Sequence, residues 1–169
     1  MRKFLILIAF IALGNLSIFS QTEVGKAQAF FIYNFSRLIK WPANYSQGDF
    51  VIGVLGKSAT YNDLVSLTKD KYVGTQKFVI KSFNNVDELS DCHILLIASD
   101  KKSSINSITA RFKDKHTLII SETKGLNNLG SAIDFMVIDN KLRYSVNLQN
   151  AEKYNLTVSK SLIDMAMVN

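Results

Sequence analysis

Four short and largely apolar segments, separated by stretches with helical or turn character, constrain the fold of this chain more than any other feature. They cover residues 50–55, 77–81, 92–98 and 117–121. The third segment is almost uniformly apolar, which indicates a strand that is covered on both faces. This βαβα order predicts an α/β protein with a single domain, in which a mostly parallel central sheet carries helices on both faces.

The C-terminal part of the sequence departs from this order. Residues 132–138 and 142–146 have the composition of two strands, and Asp139, Asn140 and Lys141 between them form a hairpin turn signal. We therefore expect a C-terminal antiparallel hairpin that extends the parallel sheet.

The first twenty residues have the pattern of an export signal. Arg2 and Lys3 precede a ten-residue apolar run, and Ser20 provides a small residue before a cleavage point. The run is short for a membrane span. The pattern therefore predicts a cleaved signal peptide over residues 1–20 and a periplasmic domain over residues 21–169. An uncleaved membrane anchor is the alternative.

The distribution of charge argues against a nucleic-acid-binding protein, and the cysteine content excludes a protein held by internal disulfides. The formal net charge is +6, from 20 basic and 14 acidic residues. The basic residues are scattered along the chain, and export also argues against a nucleic-acid partner. Cys92 is the single cysteine, so an internal disulfide is excluded. We expect Cys92 to be a buried and unreactive thiol.

The sequence contains no recognisable catalytic constellation. Metal-ligand spacing is absent, and so are the signatures of nucleotide-binding and serine-hydrolase sites. We therefore predict a protein that is not an enzyme and has no catalytic residue, no cofactor and no metal. An enzyme that uses Ser121, Glu122 or His116 stays as a third hypothesis, which requires these residues to meet in space.

The most aromatic segment predicts a helix over residues 24–40, ended by Trp41 and Pro42. Its apolar residues form two stripes at helical spacing, one with Ala27, Phe31, Phe35 and Leu38, the other with Phe30, Tyr33 and Trp41. The sheet can cover the first stripe, whereas the second needs other elements of the chain or a partner protein. If a partner binds here, the candidate residues are Phe30, Tyr33, Arg37 and Trp41.

A second candidate partner surface lies near the C-terminus. Arg143, Ser145 and Asn147 share the polar face of one predicted strand, and Lys160 belongs to the last predicted helix. An ordinary solvated surface is the simpler interpretation of these residues, although arginine is well suited to recognition.

The loop over residues 121–130 is the candidate ligand site. It follows a predicted strand, at the end where ligands of open parallel sheets bind. The candidate residues are Glu122, Lys124, Gly125 and Gly130, because Lys124 and backbone N–H groups exposed by the glycines suit an anion. Glycine's freedom to form tight turns explains Gly125 and Gly130 more simply.

The order and spacing of several motifs resemble the YfiR-like family of exported bacterial proteins. The motifs are Lys26-Ala27, Phe31-x-Tyr33-Asn34-Phe35, Trp41-Pro42, Phe50-Val51-Ile52-Gly53-Val54-Leu55-Gly56, Cys92-His93-Ile94-Leu95-Leu96-Ile97, Thr117-Leu118-Ile119-Ile120-Ser121 with Gly125, Ile133-Asp134-Phe135, Arg143-Tyr144-Ser145-Val146-Asn147-Leu148, Ala151, and Leu156-Thr157-Val158-Ser159 before Leu162.

The resemblance implies a periplasmic regulator that binds and restrains an inner-membrane signalling protein. That protein is either a diguanylate cyclase of cyclic-di-GMP signalling or a sensor kinase. The resemblance also implies relief of the restraint by an outer-membrane lipoprotein and a homodimeric state. Well-known members carry cysteines that can pair, whereas this chain has Cys92 alone. A periplasmic small-ligand-binding protein that uses the 121–130 loop is the alternative function.

Overall fold

The computed structural model describes residues 21–167. The predicted signal peptide, residues 1–20, lies outside the described residues. The helices are α1 (Gln21–Leu38), α2 (Thr60–Thr68), α3 (Ile105–Arg111), α4 (Leu148–Lys153) and α5 (Lys160–Met165). The strands are β1 (Ile39–Lys40), β2 (Phe50–Leu55), β3 (Tyr72–Val73), β4 (Gln76–Phe83), β5 (Ile94–Ile97), β6 (Leu118–Ser121), β7 (Ile133–Ile138), β8 (Lys141–Val146) and β9 (Thr157–Val158).

Seven of the strands form one sheet in the order β3-β4-β2-β5-β6-β7-β8. The five central strands run parallel, and only β3 and β8 at the two edges pair antiparallel with their neighbours. This arrangement confirms the prediction of an α/β domain with a mostly parallel sheet. All four residues of β5 are completely buried, as expected for a strand with both faces covered.

The C-terminal hairpin consists of β7 and β8, with Phe135 opposite Tyr144. Its loop is the two residues Asp139 and Asn140, whose φ angles of 48° and 55° are left-handed. Two consecutive left-handed residues define the type I′ turn that matches the twist of paired strands. Lys141, expected in the turn, is therefore the first residue of β8.

Helix α1 packs on the aromatic side chains of this hairpin. The Phe35 ring centre lies 5.0 Å from that of Tyr144 and 6.2 Å from that of Phe135. The buried stripe of α1 differs from the predicted one, because Ile32 is completely buried whereas Phe31 is only half-buried. A helix that contacts both α2 and β8 buries a wider arc than a single sheet-facing stripe.

The end of α1 is a second difference from the prediction. The helix ends at Leu38, and Ile39 and Lys40 pair with Val158 and Thr157 in a separate antiparallel ladder. The proline at position 42 is therefore not what ends the helix. Pairing with β9, a strand 117 or more positions later in the chain, diverts the backbone earlier.

Candidate functional site

Three of the predicted partner residues, Phe30, Tyr33 and Arg37, form an outward stripe on α1. Phe30 is 58% exposed, and Arg37 is also exposed. Tyr33 is half-buried, with its ring centre 5.6 Å from that of Phe78. The Arg37 guanidinium donates a hydrogen bond to the Tyr33 hydroxyl, and the Lys71 ammonium lies 4.9 Å from the Tyr33 ring centre. The outward stripe thus combines an exposed aromatic ring with two cations.

Phe30 also borders a shallow groove between α1 and α2. The groove has a volume of about 350 Å³ and is lined by Lys26, Ala29, Phe30, Asp63, Ser66 and Leu67. It presents an apolar floor with one charge of each sign. Aromatic residues, phenylalanine included, are enriched at the cores of protein interfaces, so this exposed phenyl ring is a candidate contact.

Trp41, the fourth predicted partner residue of this region, does not join the stripe. It is half-buried, and its indole N–H donates to the backbone carbonyl of His116. Its ring packs edge-on against Phe50, with 5.1 Å between the ring centres. Trp41 therefore fastens the segment after α1 to the sheet.

The Phe50 ring also stacks on the imidazole of His93, with 4.4 Å between centres. His93 Nδ1 accepts a hydrogen bond from the Val51 N–H, so Nε2 carries the proton that faces the Tyr45 carbonyl 3.0 Å away. Burial lowers the pKa of His93, and the hydrogen bond to Tyr45 offsets part of that effect. The neutral imidazole is thus a component of the core.

The predicted polar face of β8 is only partly at the surface. Arg143 is exposed, but Ser145 is buried and its hydroxyl lies 2.9 Å from the side-chain amide of Asn127. Asn147 is half-buried and donates from its side chain to the Asn127 carbonyl. The expectation of one solvated polar face is therefore wrong for Ser145. Lys160 is exposed and forms an ion pair within α5.

In the 121–130 loop, the backbone N–H groups offered to a ligand are already used. Those of Gly125 and Asn127 both donate to the Asp134 carboxylate, each at 2.9 Å. Gly125 and Gly130 have φ angles of 97° and 121°, which are the left-handed turns expected of glycine. Lys124 is exposed. The anion that this loop binds is the protein's own Asp134.

Glu122 points to a different place, a crevice of about 240 Å³ at the carboxyl ends of the parallel strands. Its carboxylate accepts hydrogen bonds from the Ser58 hydroxyl at 2.5 Å and the Ser99 N–H at 3.2 Å. The Thr60 hydroxyl, which donates to Gln28, lies 3.5 Å from the same carboxylate. Burial raises the pKa of Glu122, and these hydrogen bonds oppose the shift.

Sequence reasoning found Glu122 but missed the residues that meet it. Ser58 follows β2 and Ser99 follows β5, so both leave the same edge of the sheet as Glu122. The signal was available, because the carboxyl ends of parallel strands always lie together. The loops after β2, β5 and β6 all lie at this edge of the sheet.

The residues of the enzyme hypothesis do not meet. The hydroxyl of Ser121 bonds to the backbone of its own loop, and His116 Nδ1 lies 3.2 Å from the Tyr154 carbonyl. Within residues 21–167, no group of three potential ligands is suited to a metal ion. Burial raises the pKa of the Cys92 thiol to about 12, so this thiol is inert as expected.

The fold is that of an α/β domain with a mostly parallel sheet. The chain belongs to the YfiR/HmsC-like family, whose sequence profile matches residues 25–167. This is a family known for periplasmic regulation rather than for catalysis. Among curated proteins, none matches this chain. Between residues 21 and 167, none of the helices has the length and apolar character needed to cross a membrane.

Proposed function

We propose that this protein is a periplasmic regulator that binds and restrains an inner-membrane signalling protein. The partner is a diguanylate cyclase of cyclic-di-GMP signalling or a sensor kinase. Membership of the YfiR/HmsC-like family supports the class of function. Export through a cleaved signal peptide at residues 1–20 is part of the proposal, as are a homodimeric state and relief by an outer-membrane lipoprotein.

The exposure of Phe30 is the observation that supports a partner surface. A phenyl side chain that is 58% exposed contributes little to the core of the free protein. A partner that covers Phe30 and the groove beside it would bury their apolar surface away from water. Arg37 and Lys71 at the other end of the outward stripe favour a partner with acidic residues near its own apolar contact.

Arg143 and Lys160 stay in the proposal as a second contact region, since both are exposed. Ser145 and Asn147 contribute to this region indirectly. Their hydrogen bonds to Asn127 hold the end of β8 and the residue that follows it in place. Trp41 contributes indirectly, since its hydrogen bond to His116 holds the segment after β1 against the sheet.

The experiment compares two exposed aromatic residues. Phe30→Ser and Tyr72→Ser each remove one ring, and these rings are 58% and 53% exposed. Each variant is used to capture inner-membrane proteins from solubilised envelope. We expect Phe30→Ser to lose the cyclase or kinase that the unaltered protein captures, and Tyr72→Ser to retain it. Equal capture by both variants would remove the outward stripe from the proposal.

A second candidate function, the binding of a small ligand, is favoured by the crevice beside Glu122. The crevice lies at the sheet edge where the sequence placed a ligand site. It does not involve Lys124 or the N–H groups of Gly125, which the loop hypothesis had assigned to the ligand.

A further inference from the structure

The crevice lies where the order of the sheet reverses. The chain passes from β2 to β4 on one side and then returns to β5 on the other side of β2. Ser58 leaves the end of β2 and Ser99 the end of β5, so these two crevice residues flank the reversal. In open α/β sheets, this position leaves a gap between the diverging connections, and ligands bind there.

The crevice is organised around one carboxylate. A carboxylate offers about four acceptor positions. In Glu122 the Ser58 hydroxyl and the Ser99 N–H occupy two of them. At least one acceptor position therefore remains for a further donor. The same hydrogen bonds hold the carboxylate in place before any ligand arrives.

Glu122 also has no cation within ion-pair distance in the described part of the chain, although Lys57 lines the same crevice. None of the ion pairs among residues 21–167 includes it. The charged group that contributes to its raised pKa is Asp100, which is itself acidic. A half-buried carboxylate without a paired cation is costly, and such groups are normally paired in folded proteins.

We propose that this crevice binds the ammonium group of a small amine, with Glu122 as its counter-ion. This inference rests on the second candidate function, the binding of a small ligand. The crevice volume of about 240 Å³ suits a molecule of few heavy atoms. Gln28 and Ser99 line the same space and can accept or donate to its polar groups.

Lys57 affects the binding of two kinds of amine differently. Lys57 is one of the residues that line the crevice, and its side chain is exposed. A ligand that carries a carboxylate beside its amine gains from Lys57, whereas an amino alcohol or a simple amine does not. An amine with a second positive charge is disfavoured by the same residue.

The experiment titrates the purified protein with alanine, ethanolamine, putrescine and propionate, using calorimetry and the backbone amide signals of Ser58, Ser99 and Gln28. We expect alanine or ethanolamine to bind and to shift these signals, and propionate to have no effect. Glu122→Gln should weaken binding by about tenfold or more, since a charge-assisted hydrogen bond is lost. If the ligand is zwitterionic, Lys57→Met should weaken the binding of alanine and leave the binding of ethanolamine unchanged.

Glu152→Gln is the matched control, because it makes the same change at an exposed glutamate that lies outside the crevice. It should bind the amine as tightly as the unaltered protein. Binding of propionate with no binding of any amine would overturn the inference but keep a ligand site. No response to any of the four compounds would overturn the inference, while the partner-capture experiment would be unaffected. The inference would also be overturned if the Glu122→Gln variant has a normal melting temperature and binds the amine with unchanged affinity.

Discussion

The indole N–H of Trp41 donates a hydrogen bond to the backbone carbonyl of His116, across 2.9 Å and 75 positions of sequence. Trp41 follows β1 and His116 precedes β6, so the bond joins the end of the first helix to the base of the sheet. The outward stripe on α1 therefore has a fixed orientation relative to the strands. A partner that binds to this stripe therefore meets a preorganised surface.

We predict that Trp41→Phe lowers the free energy of unfolding by about 1 kcal/mol, the usual net value of one hydrogen bond. Phenylalanine keeps an aromatic contact with Phe50 but cannot donate to His116. Urea unfolding monitored by circular dichroism measures the difference. Tyr72→Phe, at an exposed position, is the control and should leave stability unchanged. Equal stability of Trp41→Phe and the parent would show that the bond is energetically silent.

His93 makes the stability depend on pH with a definite sign. Burial lowers its pKa in the folded state from the ordinary value of 6.5, so the unfolded chain binds more protons at mildly acidic pH. Its contribution is therefore present above about pH 6.5 and is lost as the pH falls below that value. Protonation would also place two N–H donors, those of Nδ1 and Val51, against each other.

The measurement compares the parent with His93→Gln at pH 7.5 and pH 5.5. Glu122 and Asp134 have raised pKa values and act in the opposite direction, because a folded state that binds protons gains stability as the pH falls. The difference between the two proteins isolates His93. We expect the parent to lose more stability on acidification than His93→Gln. The reverse order would contradict a neutral, buried imidazole.

Asp134 organises the 121–130 loop, so Asp134→Ala should be strongly destabilising. The change leaves the N–H groups of Gly125 and Asn127 and the hydroxyl of Ser131 without their shared acceptor. We expect a loss of about 2 to 5 kcal/mol, since buried unsatisfied donors cost about 1 to 3 kcal/mol each and do not add fully. Denaturant unfolding measures it. Lys124→Ala, in the same loop but exposed, should have no effect. A loss below 1 kcal/mol for Asp134→Ala would show that water replaces the carboxylate.

The strands were predictable because their burial leaves a direct mark on the sequence. The segment from Cys92 to Ala98 is almost uniformly apolar, since β5 lies at the centre of the sheet, where both faces are covered. The turn at Asp139 and Asn140 was predictable for a local reason, since these residue types tolerate left-handed backbone angles. Both features depend on neighbours in sequence or on burial alone.

The errors arose where a distant segment decides the outcome. Leu38 ends α1 because the next two residues pair with Thr157 and Val158. Ser145 is buried because Asn127, 18 positions earlier, lies over it. Neither partner can be recognised from the local pattern, since an alternating strand looks the same whether its polar face meets water or a buried polar cluster.

The sequence by itself determined the family and the mostly parallel α/β domain. The reason is that the order of apolar and polar residues reflects which segments are strands and which are buried. Only the tertiary structure decided which polar groups face one another. It directed the N–H groups of the 121–130 loop to Asp134, and it brought Ser58 and Ser99 to Glu122. The physical reason is that hydrogen bonds act over about 3 Å, so their partners are chosen by the folded geometry and not by spacing along the chain.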